Sequence, residues 1–152
     1  MSVVRHTDPD VFLEAAQPMA ARGEASASFF TGAAHTLKRT PPRAGERLYL
    51  ASFRSGHALG TANQRDNGPV LIGESDIVAA RAFADDLARD WPALHGVMGA
   101  PMGAQAFARR WRDLTGRGHR LSVRLRQHAL AAGNAVPAGP GMPRLARVGG
   151  LG

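Results

Sequence analysis

The chain has 152 residues, a hydrophobic fraction of 44%, no cysteine and a formal net charge of +7. This length predicts one domain with a core large enough to fold alone, and the lack of cysteine excludes disulfides, thiol nucleophiles and thiolate metal sites. No apolar run approaches the roughly 20 residues of a membrane span, and the N-terminus has no signal-peptide pattern. We therefore expect a cytoplasmic protein that does not enter membranes.

The positive charge is concentrated near the C-terminus. From Arg109 onward there are nine arginines and a single acid, Asp113, whereas the preceding residues are close to neutral. Only one of the 19 basic residues is a lysine, Lys38. Arginine without lysine is typical of GC-rich coding sequence, and a basic cluster also fits a nucleic-acid surface. We favour the compositional explanation.

The N-terminal part predicts a strand followed by two helices. Ser2 to Arg5 is a short strand candidate. Asp8 can cap a helix and Pro9 suits its first position, whereas Pro18 should kink or end that helix just before it. A second helix is expected from Glu24 to Leu37. The apolar residues of the first helix share one face: Phe12, Ala15, Ala16 and Met19.

Three strands are expected next, separated by turn residues. Arg47 to Phe53 alternates its side chains between two faces, and Ser55-Gly56 then signals a turn into Ala58 to Asn63. Asp66-Asn67-Gly68 signals a second turn, and Pro69 to Ile72 follows as the third strand. The pattern predicts two consecutive hairpins.

A third helix should begin at Ser75 or Asp76 and run to about Asp90. Asp85 and Arg89 are spaced to form an i, i+4 ion pair on its surface. Its expected buried residues are Ile77, Ala80, Phe83, Ala84 and Leu87.

Residues Ala93 to Gly116 form the most informative stretch. Leu94 to Met98 predicts a short strand, a glycine-rich turn follows, and Ala104 begins a helix that Gly116 should end. The expected buried face of that helix consists of Ala104, Phe107, Ala108, Trp111 and Leu114.

A last strand is expected after Gly118, because apolar and polar residues alternate strictly there. Leu121, Val123 and Leu125 would face inward and the arginines outward. Three interpretations of the basic face stay open: a solvated surface, a docking surface for a more acidic second domain, and a phosphate-backbone surface. The predicted basic face consists of Arg109, Arg110, Arg112, Arg120, Arg124 and Arg126.

The element order predicts a mixed α/β (α+β) domain, in which a central mixed sheet is flanked by about four helices. We place this domain at residues 1–131. Residues 132–152 are rich in glycine and proline, so they are interpreted as a linker and tail at the start of a missing second domain.

The same order resembles the fold of the GNAT superfamily of N-acetyltransferases. Several sequence segments strengthen the resemblance to the N-terminal half of bacterial two-domain GNAT proteins, among them Arg5 to Pro9, Leu94 to Gly99, Ala106 to Ala108 with Trp111, and Met142 to Ala146. The resemblance implies acetyl transfer from acetyl-coenzyme A (acetyl-CoA) to a small-molecule amine. It also implies a second GNAT domain, in cis or in trans, that holds the acetyl-CoA site.

The family's acetyl-CoA signature, Q/R-x-x-G-x-G/A, is degenerate in this chain. The corresponding loop is Gly73, Glu74, Ser75 and Asp76, with one glycine and two acids where a pyrophosphate would bind. Because carboxylates repel phosphate, we expect this loop not to bind acetyl-CoA. The only tyrosine, Tyr49, lies in a predicted strand, so we interpret it as a packed aromatic rather than a general acid.

No catalytic residue is assigned, and the six histidines share no metal-ligand spacing, so no metal site is expected. The sequence therefore predicts the non-catalytic half of a GNAT-type enzyme. The alternative is a small basic module that binds nucleic acid or an acidic protein, of which nucleic acid is disfavoured because aromatic residues are not interleaved with the arginines.

Overall fold

A computed structural model describes residues 2–21, 24–73, 75–91 and 93–125. The strands within these ranges are β1 (Ser2–Arg5), β2 (Leu48–Ser55), β3 (Ala58–Arg65), β4 (Val70–Ile72) and β5 (Val97–Gly99). The helices are α1 (Pro9–Ala20), α2 (Glu24–Arg39), α3 (Ile77–Leu87) and α4 (Pro101–Thr115).

The five strands form one sheet in the order β1-β2-β3-β4-β5. The first three pairs are antiparallel, and β4 and β5 are parallel. A parallel pair needs a crossover connection, which α3 supplies here. The predicted mixed α/β class, with a central mixed sheet and four helices, is confirmed.

Helices cover both faces of the sheet, and the alternation of β2 shows why. Tyr49, Ala51 and Phe53 pack in the larger core with residues of α3 and α4. Leu50 points the other way and packs against Phe12 of α1 and residues of α2. Because successive side chains of a strand point to opposite faces, a strand that is apolar at consecutive positions needs cover on both sides.

The first helix begins as predicted but does not end where proline suggested. The Asp8 side chain accepts a hydrogen bond from the Asp10 amide at 2.8 Å and caps α1. The helix then continues through Pro18 to Ala20. Proline this close to a helix end removes only one backbone hydrogen bond, and the burial of Met19 in the core holds the last turn in place.

The fourth helix begins earlier than predicted, at Pro101 instead of Ala104, because proline is well suited to the first position of a helix. Gly116 ends it with a left-handed backbone at φ 70°, as expected. Leu114 and Ile77 were predicted to be buried but are 40% exposed. Ile77 is the first residue of α3, and Leu114 is the last but one of α4.

The predicted surface ion pair of Asp85 with Arg89 is not formed. Arg89 instead approaches Asp86, with an Nη1–Oδ1 distance of 3.5 Å, and Asp85 pairs with Arg110 of α4. Asp85 therefore pairs with an arginine of the neighbouring helix and not with one that follows it in sequence.

The predicted strand after Gly118 is wrong: residues 116–125 contain no regular element. Leu121, Val123 and Leu125, which were expected to face inward, are 61–68% exposed. A strand needs a neighbour for its backbone groups, and in the described part of the chain β5 pairs with β4 alone. Residue Arg126 and the predicted linker at 132–152 lie outside the described residues, so the domain boundary at 131 stays a prediction.

Candidate functional site

The degenerate loop predicted at residues 73–76 joins β4 to α3. Gly73 directly follows β4, Asp76 directly precedes α3, and Glu74 lies outside the described residues. A strand end followed by a helix start is the arrangement in which backbone amides can receive a phosphate. Such a junction can bind phosphate only if its backbone amides are not already donating to other protein groups.

Two of the described amides of the junction, those of Gly73 and Asp76, donate to β3 instead. The Gly73 amide donates to the Thr61 carbonyl and the Asp76 amide donates to the Leu59 carbonyl, both at 3.0 Å. In return, the Leu59 amide donates to the Asp76 carboxylate at 2.7 Å and the Thr61 amide to the Ser75 hydroxyl at 3.2 Å. The junction thus continues the pairing of β4 with β3 and fastens the start of α3 to the sheet.

The space beside the junction is filled by protein. A Cβ added at Gly60 would lie 2.5 Å from the Cβ of Ala79 and 2.9 Å from the Ser75 hydroxyl. A Cβ at Gly99 would lie 2.3 Å from the Ile72 carbonyl oxygen. These glycines allow helix and strand to approach closely, so their small size serves packing between protein segments.

Tyr49 is held in a partly buried polar network at the opposite end of α3. Its hydroxyl donates to Asp86 Oδ2 at 2.9 Å, and Arg5 Nε donates to the same oxygen at 2.8 Å. Arg5 also donates to Asp90 and stacks over the Tyr49 ring at 5.5 Å. Burial, and then the negative charge of Asp86, raise the pKa of Tyr49 far above its ordinary value near 10. A phenol in this state does not release its proton near neutral pH, in keeping with the packed role predicted for it.

The described arginines of the predicted basic face differ in their surroundings. Arg110 reaches across to α3, where its Nε and Nη2 lie 2.8 and 2.6 Å from Asp85 Oδ1. Arg109 and Arg112 lie on the solvent side of α4, and Arg112 approaches Asp113. Arg120 and Arg124 belong to the exposed stretch after Gly116. The predicted face required a strand that this stretch does not form.

Metal binding has no support in the described ranges, where no three His, Asp or Glu side chains are placed to hold an ion. His6 is used structurally: its Nε2 lies 2.8 Å from the Ser52 hydroxyl. Burial lowers the pKa of His6, which favours its neutral form.

Sequence reasoning missed a group of buried polar residues in β3. Thr61, Asn63 and Gln64 are at most 5% exposed, and each has one side-chain polar atom without a hydrogen-bond partner. Asn63 and Gln64 also line a cavity between α2 and the sheet. The signal was present in the run Thr61-Ala62-Asn63-Gln64, because polar side chains on both faces of an interior strand are unusual.

The chain matches no protein-family model, no curated protein and no solved structure. Within the part of the chain that the structure describes, no helix is both long and apolar enough to cross a membrane.

Proposed function

We propose that the chain is the non-catalytic half of a GNAT-type N-acetyltransferase. In this proposal it supports a second GNAT domain, in cis or in trans, which binds acetyl-CoA and transfers the acetyl group to a small-molecule amine. The order of its elements and the parallel pair formed by β4 and β5 on either side of α3 support the proposed family.

The observation that carries the non-catalytic assignment is the bonding of the β4–α3 junction. A phosphate-binding loop needs unpaired amides that point at the ligand. The amides of Gly73 and Asp76 already donate to β3, and the Asp76 carboxylate lies in the same junction. Acetyl-CoA binding here would require breaking those hydrogen bonds and placing a pyrophosphate beside a carboxylate.

The absence of an available proton donor at Tyr49 supports the same assignment. The thiolate that leaves during acetyl transfer needs a proton, which a tyrosine can supply only if its hydroxyl reaches the reacting atoms. Tyr49 is buried, and its hydroxyl donates to Asp86. It is therefore a structural group in this proposal.

Calorimetric titration of acetyl-CoA into the purified chain tests the proposal, with heparin as the polyanion control. We expect no saturable heat with acetyl-CoA at micromolar concentrations. Micromolar binding of acetyl-CoA without heparin binding would overturn the proposal and make the chain an acetyltransferase in its own right.

Heparin binding alone would favour the alternative basic binding module. In that case affinity for duplex DNA should fall steeply with salt concentration, because each arginine–phosphate contact releases counterions. The proposal of a non-catalytic half also expects a partner domain with the Q/R-x-x-G-x-G/A signature. When that domain is added, the same titration should detect acetyl-CoA binding.

A further inference from the structure

A groove of about 200 Å³ lies between α1 and the β2–β3 hairpin, on the face of the sheet opposite α3. Its apolar wall is formed by Ala15 and Met19 of α1 and by Leu59 of β3, which packs against Met19. An apolar protein cavity of roughly 150 Å³ is large enough to bind benzene. The groove therefore has room for an aromatic ring or a short alkyl chain.

Arg54 of β2 brings a positive charge to this groove. It lies directly opposite Leu59 in the β2–β3 pair, and directly opposite residues of an antiparallel pair point to the same face of the sheet. Because Leu59 packs against Met19, the Arg54 side chain also lies on the α1 face, where it lines the groove. Arg54 is exposed, so a ligand can approach it from solvent.

The charge of Arg54 is not paired with an acidic side chain among the described residues. By contrast, Arg5 and Arg65 each form an ion pair with a carboxylate of the chain. The other polar side chain of the lining is already engaged, because the Ser52 hydroxyl lies 2.8 Å from His6 Nε2. The described lining thus combines an unpaired cation with an apolar wall, which suits a ligand that has an anionic group and an apolar body.

We propose that this groove binds a small organic carboxylate, with its apolar body against Met19 and Leu59 and its carboxylate on the Arg54 guanidinium. A guanidinium can donate two parallel hydrogen bonds to a carboxylate, and the charges make these bonds stronger than those between neutral groups. A cationic ligand is disfavoured, because none of the described lining residues is acidic. No residue of the β4–α3 junction lines the groove, so the site does not depend on the proposed acetyltransferase relationship.

Phenylacetate and phenylacetamide form a matched pair of probes, since they have nearly the same shape and differ in charge. The full chain, labelled with ¹³C-methyl groups, is titrated with each probe at up to millimolar concentrations and followed by NMR. We expect phenylacetate to shift the Met19 and Leu59 methyl signals saturably. Phenylacetamide should shift the same signals with an affinity about tenfold lower, which corresponds to the low end of the range for a hydrogen bond to a charged group, because Arg54 is exposed.

Arg54→Gln should remove the preference for phenylacetate and leave phenylacetamide binding within about twofold, because the apolar wall remains. Arg81→Gln is the matched control: it removes the same charge from an exposed position of α3, on the other face of the sheet, so the preference should persist. The proposal is overturned if phenylacetate causes no saturable shift of these signals, if the wild-type chain binds both probes equally, or if the preference survives in Arg54→Gln. The wild-type comparison remains decisive if Arg54→Gln does not fold.

Discussion

At the scale of single residues, the network around Tyr49 determines how the chain responds to alkaline pH. The Tyr49 hydroxyl and the Arg5 guanidinium each donate a hydrogen bond to the Asp86 carboxylate. Removing the phenolic proton would place a second negative charge beside the Asp86 carboxylate. The folded state therefore favours the neutral phenol more strongly than the unfolded state does.

We predict that Tyr49 does not titrate in the folded protein near pH 10. Because its folded pKa is raised, its contribution to stability is complete below pH 10, the ordinary value, and is lost as the pH rises above it. The chain has one tyrosine, so the tyrosinate absorbance at 295 nm reports this residue alone. The chain unfolded in guanidinium chloride is the control and should titrate near pH 10. A rise near pH 10 in the folded protein would contradict the prediction.

The sequence predicted that Tyr49 packs in a strand, but it did not predict its partner. Alternation along β2 indicates that Tyr49 shares a face with Ala51 and Phe53, and this requires only local information. Its hydrogen-bond partner, Asp86, lies 37 residues further along the chain. Sequence spacing favoured a role for the neighbouring Asp85 in an ion pair within α3, and nothing local distinguished the two aspartates.

At the scale of elements, α3 and β3 approach each other closely at Gly60. We predict that Gly60→Ala lowers the free energy of unfolding by about 1–3 kcal/mol, since its methyl group would collide with Ala79 and approach Phe83. Gly32→Ala in α2 is the matched control. Apart from the chain neighbours and the backbone of the same helix, no atom lies within 4 Å of the added Cβ there, so the change should stabilise the chain by about 0.5–1 kcal/mol. Urea unfolding measures both, and equal effects would refute the proposed contact.

Element positions were predictable wherever local signals agreed with the tertiary contacts. Asp8 with Pro9, and Gly116, marked helix ends correctly because caps are determined by neighbouring residues. Pro18 was predicted to kink or end α1; the helix does not end there, and Met19, in its last turn, is buried by a tertiary contact. The β4–α3 junction was recognised as a loop, but its bonding to Leu59 and Thr61 depends on the register of β3, which spacing does not specify.

At the scale of the whole molecule, the exposed stretch after Gly116 contributes little to stability. We predict that replacing Leu121, Val123 and Leu125 together by serine changes the free energy of unfolding by no more than about 0.5 kcal/mol, because all three side chains are mostly solvated. Leu50→Ala is the comparison and should cost about 2–5 kcal/mol, since Leu50 is 1% exposed. Calorimetric melting measures both, and a large loss in the triple variant would show that these side chains pack against the domain.

The stretch also shows why alternation alone mispredicts a strand. Strict alternation at 120–125 says which side chains would share a face if the backbone were extended. It does not supply the neighbouring strand that the backbone needs. For β2 and β3 that neighbour is the next segment of the chain, joined by a short turn, so the prediction of the hairpin was correct.

The ion pairs of Arg5 also have a consequence for synthesis on the ribosome. Arg5 is joined to Asp86 and Asp90, which follow it by 81 and 85 residues. At a translation rate of roughly 5–20 residues per second, Arg5 waits about 4–17 s before both partners have been added. The β2–β3 hairpin is complete well before then. The first strand of the chain thus acquires its ion pairs long after its own synthesis.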